Sequence, residues 1–225
     1  YSKEIWENDN TNIFGKAVKL NPKKSMIINN SVNINIFKPK SNFIKKNKIW
    51  KIIHVSASSN PKKGLYKILE LAHSLKNNST IEFILTGKQI YDPVCGSDLK
   101  YFKNVKYIGH QTNRNQLAEL YRSCDILFFP SQDDCSPNVV LEAMSSGLPV
   151  LTIDSGGIKE LIYKKDNLRG GIFIDEDNPV IALDFLIKNY EKYSSNAIEI
   201  IKKYHNEEST LVKYNKVINM INKNL

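Results

Sequence analysis

The amino-acid sequence predicts an α/β fold built on a doubly wound parallel sheet. The first observation is a series of short, nearly continuous apolar runs, which are typical of strands buried on both faces of a sheet. The second is that segments with apolar residues at helical spacing stand between these runs. Because strands and helices alternate with short connections, we expect helices on both faces of the sheet.

Six apolar runs are the predicted strands. In chain order they are WKIIHVS (50–56), IEFILTG (81–87), NVKYIGH (104–110), DILFFPS (125–131), LPVLTID (148–154) and GGIFI (170–174). An earlier run, SMIINNSV (25–32), predicts one short strand ahead of the sheet. In parallel sheets of this kind, ligands bind at the carboxyl ends of the strands. The loops that we expect to hold a site therefore follow residues 56, 86, 109, 130 and 154.

The segments between and after the strands predict helices. They are LYKILELAHSL (65–75), NQLAELYRS (115–123), PNVVLEAMSSG (137–147), IKELI (158–162) and further helices that close the chain. Gly147 stands where a glycine commonly ends a helix. The apolar stripes consist of Leu65, Ile68, Leu69, Ala72 and Leu75; of Leu117, Leu120 and Tyr121; of Leu183, Leu186 and Ile187; and of Leu211, Tyr214, Ile218 and Ile221.

The composition is that of a globular protein with a basic surface. The 225 residues are 41% hydrophobic and 24% charged, and no apolar run approaches the ~18 residues of a membrane span. The 3 cysteines and 4 scattered histidines fit a reduced cytosolic protein without a disulfide framework or a zinc site. The net charge of +9 favours anionic partners, but the lack of an Arg-rich run argues against nucleic acid.

The most informative stretch is PSQDDCSPNVVLEAMSSG (130–147). Ser136 is a natural N-cap and Pro137 suits the first helical position, so a helix is expected to begin here. The free amide groups around Asn138 and Val139 would then point out of the carboxyl edge of the sheet. A helix N-terminus in that place favours a phosphate group.

Two acids in the same stretch are candidates for ligand contact. Glu142 lies in an otherwise apolar helix, on the face that it shares with Asn138. A carboxylate there is costly unless a partner satisfies it, and either the vicinal hydroxyls of a sugar or a neighbouring protein group would do so. Asp134 precedes Glu142 by eight residues, a spacing that lets two acids grip two ends of one ligand.

Two further loops contribute candidates. Lys62 and Lys63, in the turn NPKKG after the first strand, are in position to reach a diphosphate, although a solvated lysine pair is the simpler interpretation. Gly156 and Gly157 in DSGGIKEL permit a close backbone approach, or form an ordinary turn. The chain has no G-x4-G-K-[ST], G-x-G-x-x-G or G-x-S-x-G motif, so ATPase, dehydrogenase and hydrolase functions have no motif support.

Taken together, these motifs resemble one family. PSQDD, VVLEAMSSGLPV and DSGGIKEL are similar to the signature of the retaining family-four glycosyltransferases of the GT-B architecture, also called glycosyl transferases group 1. NSVNINIFKP resembles the family's entry to its second domain, NPKKG its phosphate turn, and YIGHQTNRNQLAELYRSCDILFFPS the stretch that follows. The resemblance covers residues 26–165 and implies a Rossmann-like domain, the C-terminal half of a GT-B glycosyltransferase.

The resemblance also implies roles for single residues. Glu142 matches the glutamate that holds the nucleotide ribose, and Asp134 stands where a first glutamate holds the donor sugar. Lys63 matches the lysine on the diphosphate, and the amides near Asn138 and Val139, behind Ser136 and Pro137, match those that receive the phosphate. We therefore expect Asp134, Lys63 and Glu142 to be the catalytic residues.

The match has one further region and two departures. The loops around Gly87 and Gly109 fall where the family binds the base. The first acid is aspartate rather than glutamate, and Ser58 and Ala57 stand where the family usually has a phosphate-binding arginine. We include Ser58 among the expected binding residues, and Lys62 is the side chain that could replace the missing positive charge.

The resemblance implies transfer of a sugar from a nucleoside diphosphate to an acceptor hydroxyl with retention, in cell-surface polysaccharide or lipopolysaccharide synthesis. No cofactor and no metal are expected. Residues 1–40 are expected to be the tail of an N-terminal domain and a linker, 41–190 the donor-binding domain, and 191–225 helices that pack back on it or towards the missing N-terminal domain. The expected location is cytoplasmic, peripheral to the inner face of the membrane, with a lipid-linked acceptor.

Two alternatives remain open at this point. The chain could be a binding module that holds a nucleotide sugar without turnover, or a GT-B nucleotide-sugar epimerase.

Overall fold

A computed structural model of the protein describes residues 28–40, 49–56, 61–87, 102–132, 134–174 and 178–222. Its strands are β1 (Trp50–Ser56), β2 (Ile81–Gly87), β3 (Val105–Tyr107), β4 (Ile126–Phe129), β5 (Val150–Thr152) and β6 (Gly171–Phe173). All five neighbouring pairs are parallel, in the order β3-β2-β1-β4-β5-β6. The strand order reverses between β1 and β4, and the loops that follow these two strands therefore diverge around one crevice, where sheets of this type bind ligands.

A short 3₁₀ turn (Pro61–Lys63) and seven helices surround the sheet in the described part of the chain. The helices are α1 (Leu65–Ser74), α2 (Arg114–Ser123), α3 (Asn138–Ser145), α4 (Ile158–Ile162), α5 (Pro179–Lys188), α6 (Tyr190–Tyr204) and α7 (Glu207–Asn222). The α/β doubly wound, Rossmann-like fold predicted from the sequence is confirmed. The stretch 25–32, predicted to be a short strand that runs into a loop, lies in part outside the described residues. In its described part, 28–32, Val32 makes an isolated bridge with Asn206.

The core has two layers, one on each face of the sheet. One cluster packs α2, α3, α4 and α6 against side chains such as Ile53, Leu127 and Val150. The other packs α1 and α5 against Ile52 and Phe83. Successive residues of β1, Ile52 and Ile53, thus enter opposite layers, as the period of two along a strand requires. This two-sided burial accounts for the continuous apolar runs in the sequence.

The segment from residue 28 to residue 40 packs against the helices that cover the sheet. Val32 and Phe37 are buried in the first of these clusters. The backbone N–H of Val32 donates to the carbonyl of His205 at 2.9 Å, and the Ser145 hydroxyl donates to the carbonyl of Phe37. The division of the chain at residues 40 and 190 stays a prediction.

The last helix differs from the others because its apolar stripe faces solvent. Leu211, Tyr214, Ile218 and Ile221 are all exposed, and Thr210 is the buried residue of α7. In the described part of the chain, no helix is both long enough and apolar enough to span a membrane.

Candidate functional site

Lys63 and Asp134 meet at the carboxyl edge of the sheet. The Lys63 ammonium donates to both Asp134 carboxylate oxygens, at 3.0 and 2.9 Å, and the Ser131 hydroxyl donates to one of them. Lys63 ends the 3₁₀ turn after β1, and Asp134 lies in the loop after β4. Because β1 and β4 are neighbouring parallel strands, both loops start at the same edge of the sheet, and the ion pair joins them across the crevice.

Two glycines after β5 hold the Asp134 loop in place. The Gly157 N–H donates to the carbonyl of Asp134 at 3.0 Å. A Cβ at Gly156, which has φ 59°, would lie 2.4 Å from that carbonyl oxygen, and one at Gly157 would lie 2.0 Å from the carbonyl oxygen of Cys135. Only glycine permits this approach, so the close backbone contact considered for DSGGIKEL is present, and it supports the acid loop rather than a free surface.

The helix that follows the acid loop begins one residue later than its sequence suggests. Its N-cap is Pro137, with φ −70° and ψ 121° and without a side-chain cap, and Asn138 is the first helical residue. The predicted N-cap, Ser136, is instead tied by its carbonyl oxygen to the Asn30 side-chain amide at 3.0 Å. Asn30 also donates to the side-chain oxygen of Asn138 at 3.2 Å. The role of the Asn138 and Val139 amides at this helix start stays a prediction.

Glu142 lies one turn into this helix and is mostly buried, with 10% of its side chain exposed. One carboxylate oxygen accepts from Arg114 at 3.4 Å and the other from the Tyr121 hydroxyl at 3.5 Å. Burial raises the pKa of Glu142, and Arg114 and Tyr121 oppose that rise. Burial, followed by the charge of Glu142, raises the pKa of Tyr121 well above its ordinary value, so Tyr121 remains a neutral donor.

Arg114, Tyr121 and Asn30 are site residues that sequence reasoning missed. The sequence predicts a core position for Tyr121, which is confirmed for its ring. It does not predict the contact of its hydroxyl with Glu142. Asn30 and Arg114 contact residues 106 and 28 positions away along the chain. No local pattern marks contacts of that kind. The cue that was available is Glu142 itself, since an acid in an apolar helix requires a partner from elsewhere.

The remaining predicted residues are distributed around this centre. Gly87 and Gly109 lie side by side: the Gly87 N–H donates to the Gly109 carbonyl at 3.3 Å, and the Thr86 hydroxyl donates to the same oxygen at 2.5 Å. The Lys62 side chain is exposed, while its carbonyl accepts from Gln132 N–H at 2.8 Å. Ser58 lies outside the described residues.

Metal-binding clusters and cysteine thiols are the groups that would indicate other functions. Among the described residues, no three His, Cys, Asp or Glu side chains gather as a metal site would require. Cys124 is buried and Cys135 half-buried, both as free thiols.

The fold and the site define a class: a Rossmann-like domain with a basic side chain, two acids and a helix N-terminus at the carboxyl edge of its sheet. The family model of the glycosyl transferases group 1 matches residues 36–206. The chain belongs to this family.

Curated relatives agree over shorter stretches. The chain is 35% identical over 153 residues to the sulfoquinovosyl transferase SQD2 of Arabidopsis thaliana, which is 65% of this chain and 28% of that protein. It is 39% identical over 83 residues to an uncharacterized glycosyltransferase of Haemophilus influenzae, which is 35% of this chain and 23% of that protein. The matched part of the chain thus spans about a quarter of the length of these relatives.

Solved structures share the fold at low sequence identity. A glycosyltransferase from Rickettsia africae ESF-5 has a TM-score of 0.73 with 18% identity, over 92% of this chain and 59% of that one. Anabaena Alr3699/HepE, solved in complex with UDP and glucose, has a TM-score of 0.69 with 19% identity, over 86% of this chain and 56% of that one.

Proposed function

We propose that this chain is the donor-binding part of a retaining glycosyltransferase that takes a sugar from a nucleoside diphosphate. The observation that carries the proposal is the convergence of Lys63, Asp134, Glu142 and the start of α3 at one edge of the sheet. Membership of the glycosyl transferases group 1 supports it. UDP and glucose in the complex of Anabaena Alr3699/HepE are the ligands of a structural neighbour, and we extend that ligand class to this chain.

In this proposal each group contacts a different part of the donor. Lys63 and the free amides at Asn138 and Val139 bind the diphosphate, because an ammonium group and a helix N-terminus both favour negative charge. Glu142 accepts hydrogen bonds from the ribose hydroxyls. Asp134 binds the donor sugar, and the backbone around Gly87 and Gly109 faces the base.

The chemistry needs charge stabilisation on the leaving group. As the glycosidic bond breaks, the diphosphate gains negative charge, and Lys63 together with the start of α3 would stabilise it without a metal ion. Removal of one such preorganised donor typically costs 10²–10³ in rate, on the order of 3–4 kcal/mol. The expectation that the protein uses neither metal nor cofactor is part of this proposal.

The acceptor half of the site is proposed to lie in a second domain. Several solved structures that share this fold are longer than the chain, which covers 59% of the Rickettsia protein. The exposed apolar stripe of α7, with Leu211, Tyr214 and Ile218, is the surface that we propose packs towards that N-terminal domain. Burial of such a stripe would stabilise the contact by roughly 1.5–3 kcal/mol for each fully buried side chain.

A second candidate is a binding module that holds the nucleotide sugar without turnover. The Lys63–Asp134 ion pair favours it, because each group satisfies the other before a donor arrives. Within the first proposal, the same pair must open, so that Lys63 turns to the phosphate and Asp134 to the sugar.

We further propose a cytoplasmic enzyme at the inner face of a membrane, acting on a lipid-linked acceptor in polysaccharide synthesis. The net charge of +9 supports this, since anionic lipid attracts basic surfaces. Co-sedimentation with anionic vesicles at low salt tests it. Absence of binding at low salt, or equal binding to neutral vesicles, would refute it.

Calorimetric titration of the chain with UDP, GDP and their sugars tests the donor site. We expect saturable binding that is lost in Glu142→Ala and in Lys63→Ala, and retained in the exposed controls Glu199→Ala and Lys202→Ala. Binding that survives in both site variants would remove the site from this edge of the sheet. Transfer of sugar by a chain joined to its upstream domain, with no transfer by the chain alone, would separate the transferase from the binding module.

A further inference from the structure

We propose that Arg114 is a positioning residue for the donor site, which keeps the Glu142 carboxylate charged and aimed at the ribose hydroxyls. The inference deepens the proposed function and rests on it. It concerns a residue at the start of α2 that contacts Glu142 of α3.

The contacts of Glu142 leave its carboxylate only partly satisfied. Arg114 and the Tyr121 hydroxyl each approach one oxygen, at 3.4 and 3.5 Å, which is the long end of a hydrogen bond. A carboxylate has about four acceptor positions. Both oxygens therefore retain the capacity to accept the two hydroxyls of a ribose while these protein contacts persist.

Arg114 is anchored on one side and open on the other. Its guanidinium carbon lies 5.0 Å from the centre of the Phe37 ring, and that ring is packed edge-on against Tyr121 at 6.0 Å. The Arg114 side chain is nevertheless 59% exposed, whereas that of Glu142 is 10% exposed. The guanidinium thus reaches from solvent to a buried charge, and it can shift on the aromatic face when a ligand enters.

The stability of α2 does not explain an arginine at this position. Arg114 is the first residue of the helix, where a positive charge opposes the helix dipole. The cap is supplied by Asn113, whose side chain accepts from the N–H groups of Asn115 and Gln116 at 2.8 and 3.2 Å. The contacts with Glu142 and with the Phe37 ring are the favourable interactions that offset this placement.

The electrostatic consequence concerns the pH range in which Glu142 is charged. Two polar groups face its carboxylate from the described residues packed around it: Arg114, which is cationic, and Tyr121, which stays neutral. Burial raises the pKa of Glu142 and Arg114 holds that rise back. Without Arg114 the carboxyl group would protonate at a higher pH, and a protonated carboxyl is a poorer acceptor for ribose hydroxyls.

The test compares Arg114→Gln and Arg114→Lys with the unchanged chain. The first measurement is a ¹³C NMR titration of glutamate side-chain carboxyls, with Glu142→Gln identifying the Glu142 signal. We expect the midpoint to move up by about one pH unit in Arg114→Gln and to return most of the way in Arg114→Lys. An unmoved midpoint would overturn the inference, and circular dichroism reports whether each variant is folded.

The second measurement is the affinity for UDP or GDP, whichever the chain binds, as a function of pH. In Arg114→Gln we expect affinity to fall off at a higher pH than in the unchanged chain. Relative to the unchanged chain the loss should be about twofold at the pH of the displaced midpoint and should approach about tenfold at pH values below both midpoints. In a Glu142→Gln background the same change should have no effect. Equal losses in both backgrounds would assign Arg114 a direct contact with the nucleotide and overturn the positioning role.

The two measurements separate the inference from the proposed function. If the unchanged chain binds no nucleotide, the proposed function fails, and the carboxyl titration alone still decides whether Arg114 keeps Glu142 charged.

Discussion

The two acids of the site, eight residues apart, are held in opposite ways. Asp134 lies in a loop, is 22% exposed, and forms a close pair with a lysine that is 32% exposed. Glu142 lies in a helix, is 10% exposed, and is approached at longer range by a mostly exposed arginine. Protein groups satisfy the carboxylate of Asp134, whereas the carboxylate of Glu142 can still accept hydrogen bonds from additional donors.

This difference indicates how the site divides its work. Asp134 and Lys63 form an interaction that stabilises the loop and that, in the proposed function, must open for a ligand. Burial of the Glu142 carboxylate costs free energy, and in the proposed function hydrogen bonds from ligand hydroxyl groups offset that cost. We therefore expect substitution of Asp134 to lower mainly the stability of its loop. Substitution of Glu142 by an apolar residue should lower ligand affinity and raise the free energy of unfolding.

The largest expected effect is a loss of stability at acid pH, which limits the pH range in which the two acids can be compared. His54 and His205 are buried, and burial lowers the pKa of each to about 4. Each folded-state pKa lies below the unfolded value of about 6.5, so the unfolded chain binds more protons. The contribution of the two histidines to the free energy of unfolding is then fully present above pH 6.5. It falls as the pH drops towards 4, by about 2 kcal/mol per histidine at pH 5.

Urea unfolding between pH 5 and 7.5 measures this loss. In a His205→Gln variant the slope should be about half that of the unchanged chain, because one of the two titrations is removed. A slope that the variant leaves unaltered would assign the acid sensitivity to other groups, and comparisons of the two acids would then need no restriction to neutral pH.

The next effect is on ligand affinity. Lys63→Ala should lower the affinity for a nucleoside diphosphate by about 10²-fold, because a charge-assisted contact with phosphate is lost. Calorimetry with the matching nucleoside, which has no phosphates, is the control and should show unchanged affinity. Lys63→Arg should retain most of the affinity. An equal loss for nucleoside and diphosphate would mean that Lys63 acts by holding the Asp134 loop alone.

A glycine substitution tests how far the Asp134 loop depends on its backbone support. Gly157→Ala places a Cβ 2.0 Å from the carbonyl oxygen of Cys135, so the loop must shift. We expect the free energy of unfolding to fall by about 2 kcal/mol and diphosphate affinity to fall with it. Gly109→Ala is the matched control: its φ of 74° is strained for alanine, but no atom lies within 4 Å. It should cost about 1 kcal/mol.

The smallest effects have opposite signs at the two acids. Glu142→Leu should raise the free energy of unfolding by about 1 kcal/mol at pH 7, because a buried charge with long contacts is replaced by an apolar group. Asp134→Asn should lower it by about 1 kcal/mol through loss of the charged pair with Lys63. Urea unfolding of both variants decides. The same sign at both positions would break the comparison.

Sequence reasoning predicted the fold well because its signals are local. The apolar runs and helical stripes depend on burial within single elements, and the six strands follow from them. The meeting of Lys63 and Asp134 was also within reach, since a parallel sheet gathers the loops after its strands at one edge. Their direct pairing was not, because it depends on distances of a few ångströms between loops.

Three features lay beyond the sequence for different physical reasons. The start of α3 is displaced by one residue because the backbone of Pro137 is extended, and the adjoining carbonyl of Ser136 is held by Asn30, which is distant in the chain. The Arg114–Glu142 contact joins two helices, and a contact between elements does not appear in the hydrophobic period of either one. The stripe on α7 was recognised as apolar, but a pattern cannot say whether such a stripe is covered, and here Leu211 and Ile218 are exposed.

The bridge between Val32 and Asn206 has a mechanical consequence. The chain enters the sheet domain and passes into α7 at the same point, where His205 is bonded to both Val32 and Asn30. Residues 30–32 are thereby fastened to the junction of α6 and α7, and Asn30 and His205 are 175 positions apart in the chain. Since the Asn30 side chain also donates to the Ser136 carbonyl, one short segment fastens both the α6–α7 junction and the start of α3, so that a disturbance at either place is felt at the proposed phosphate site.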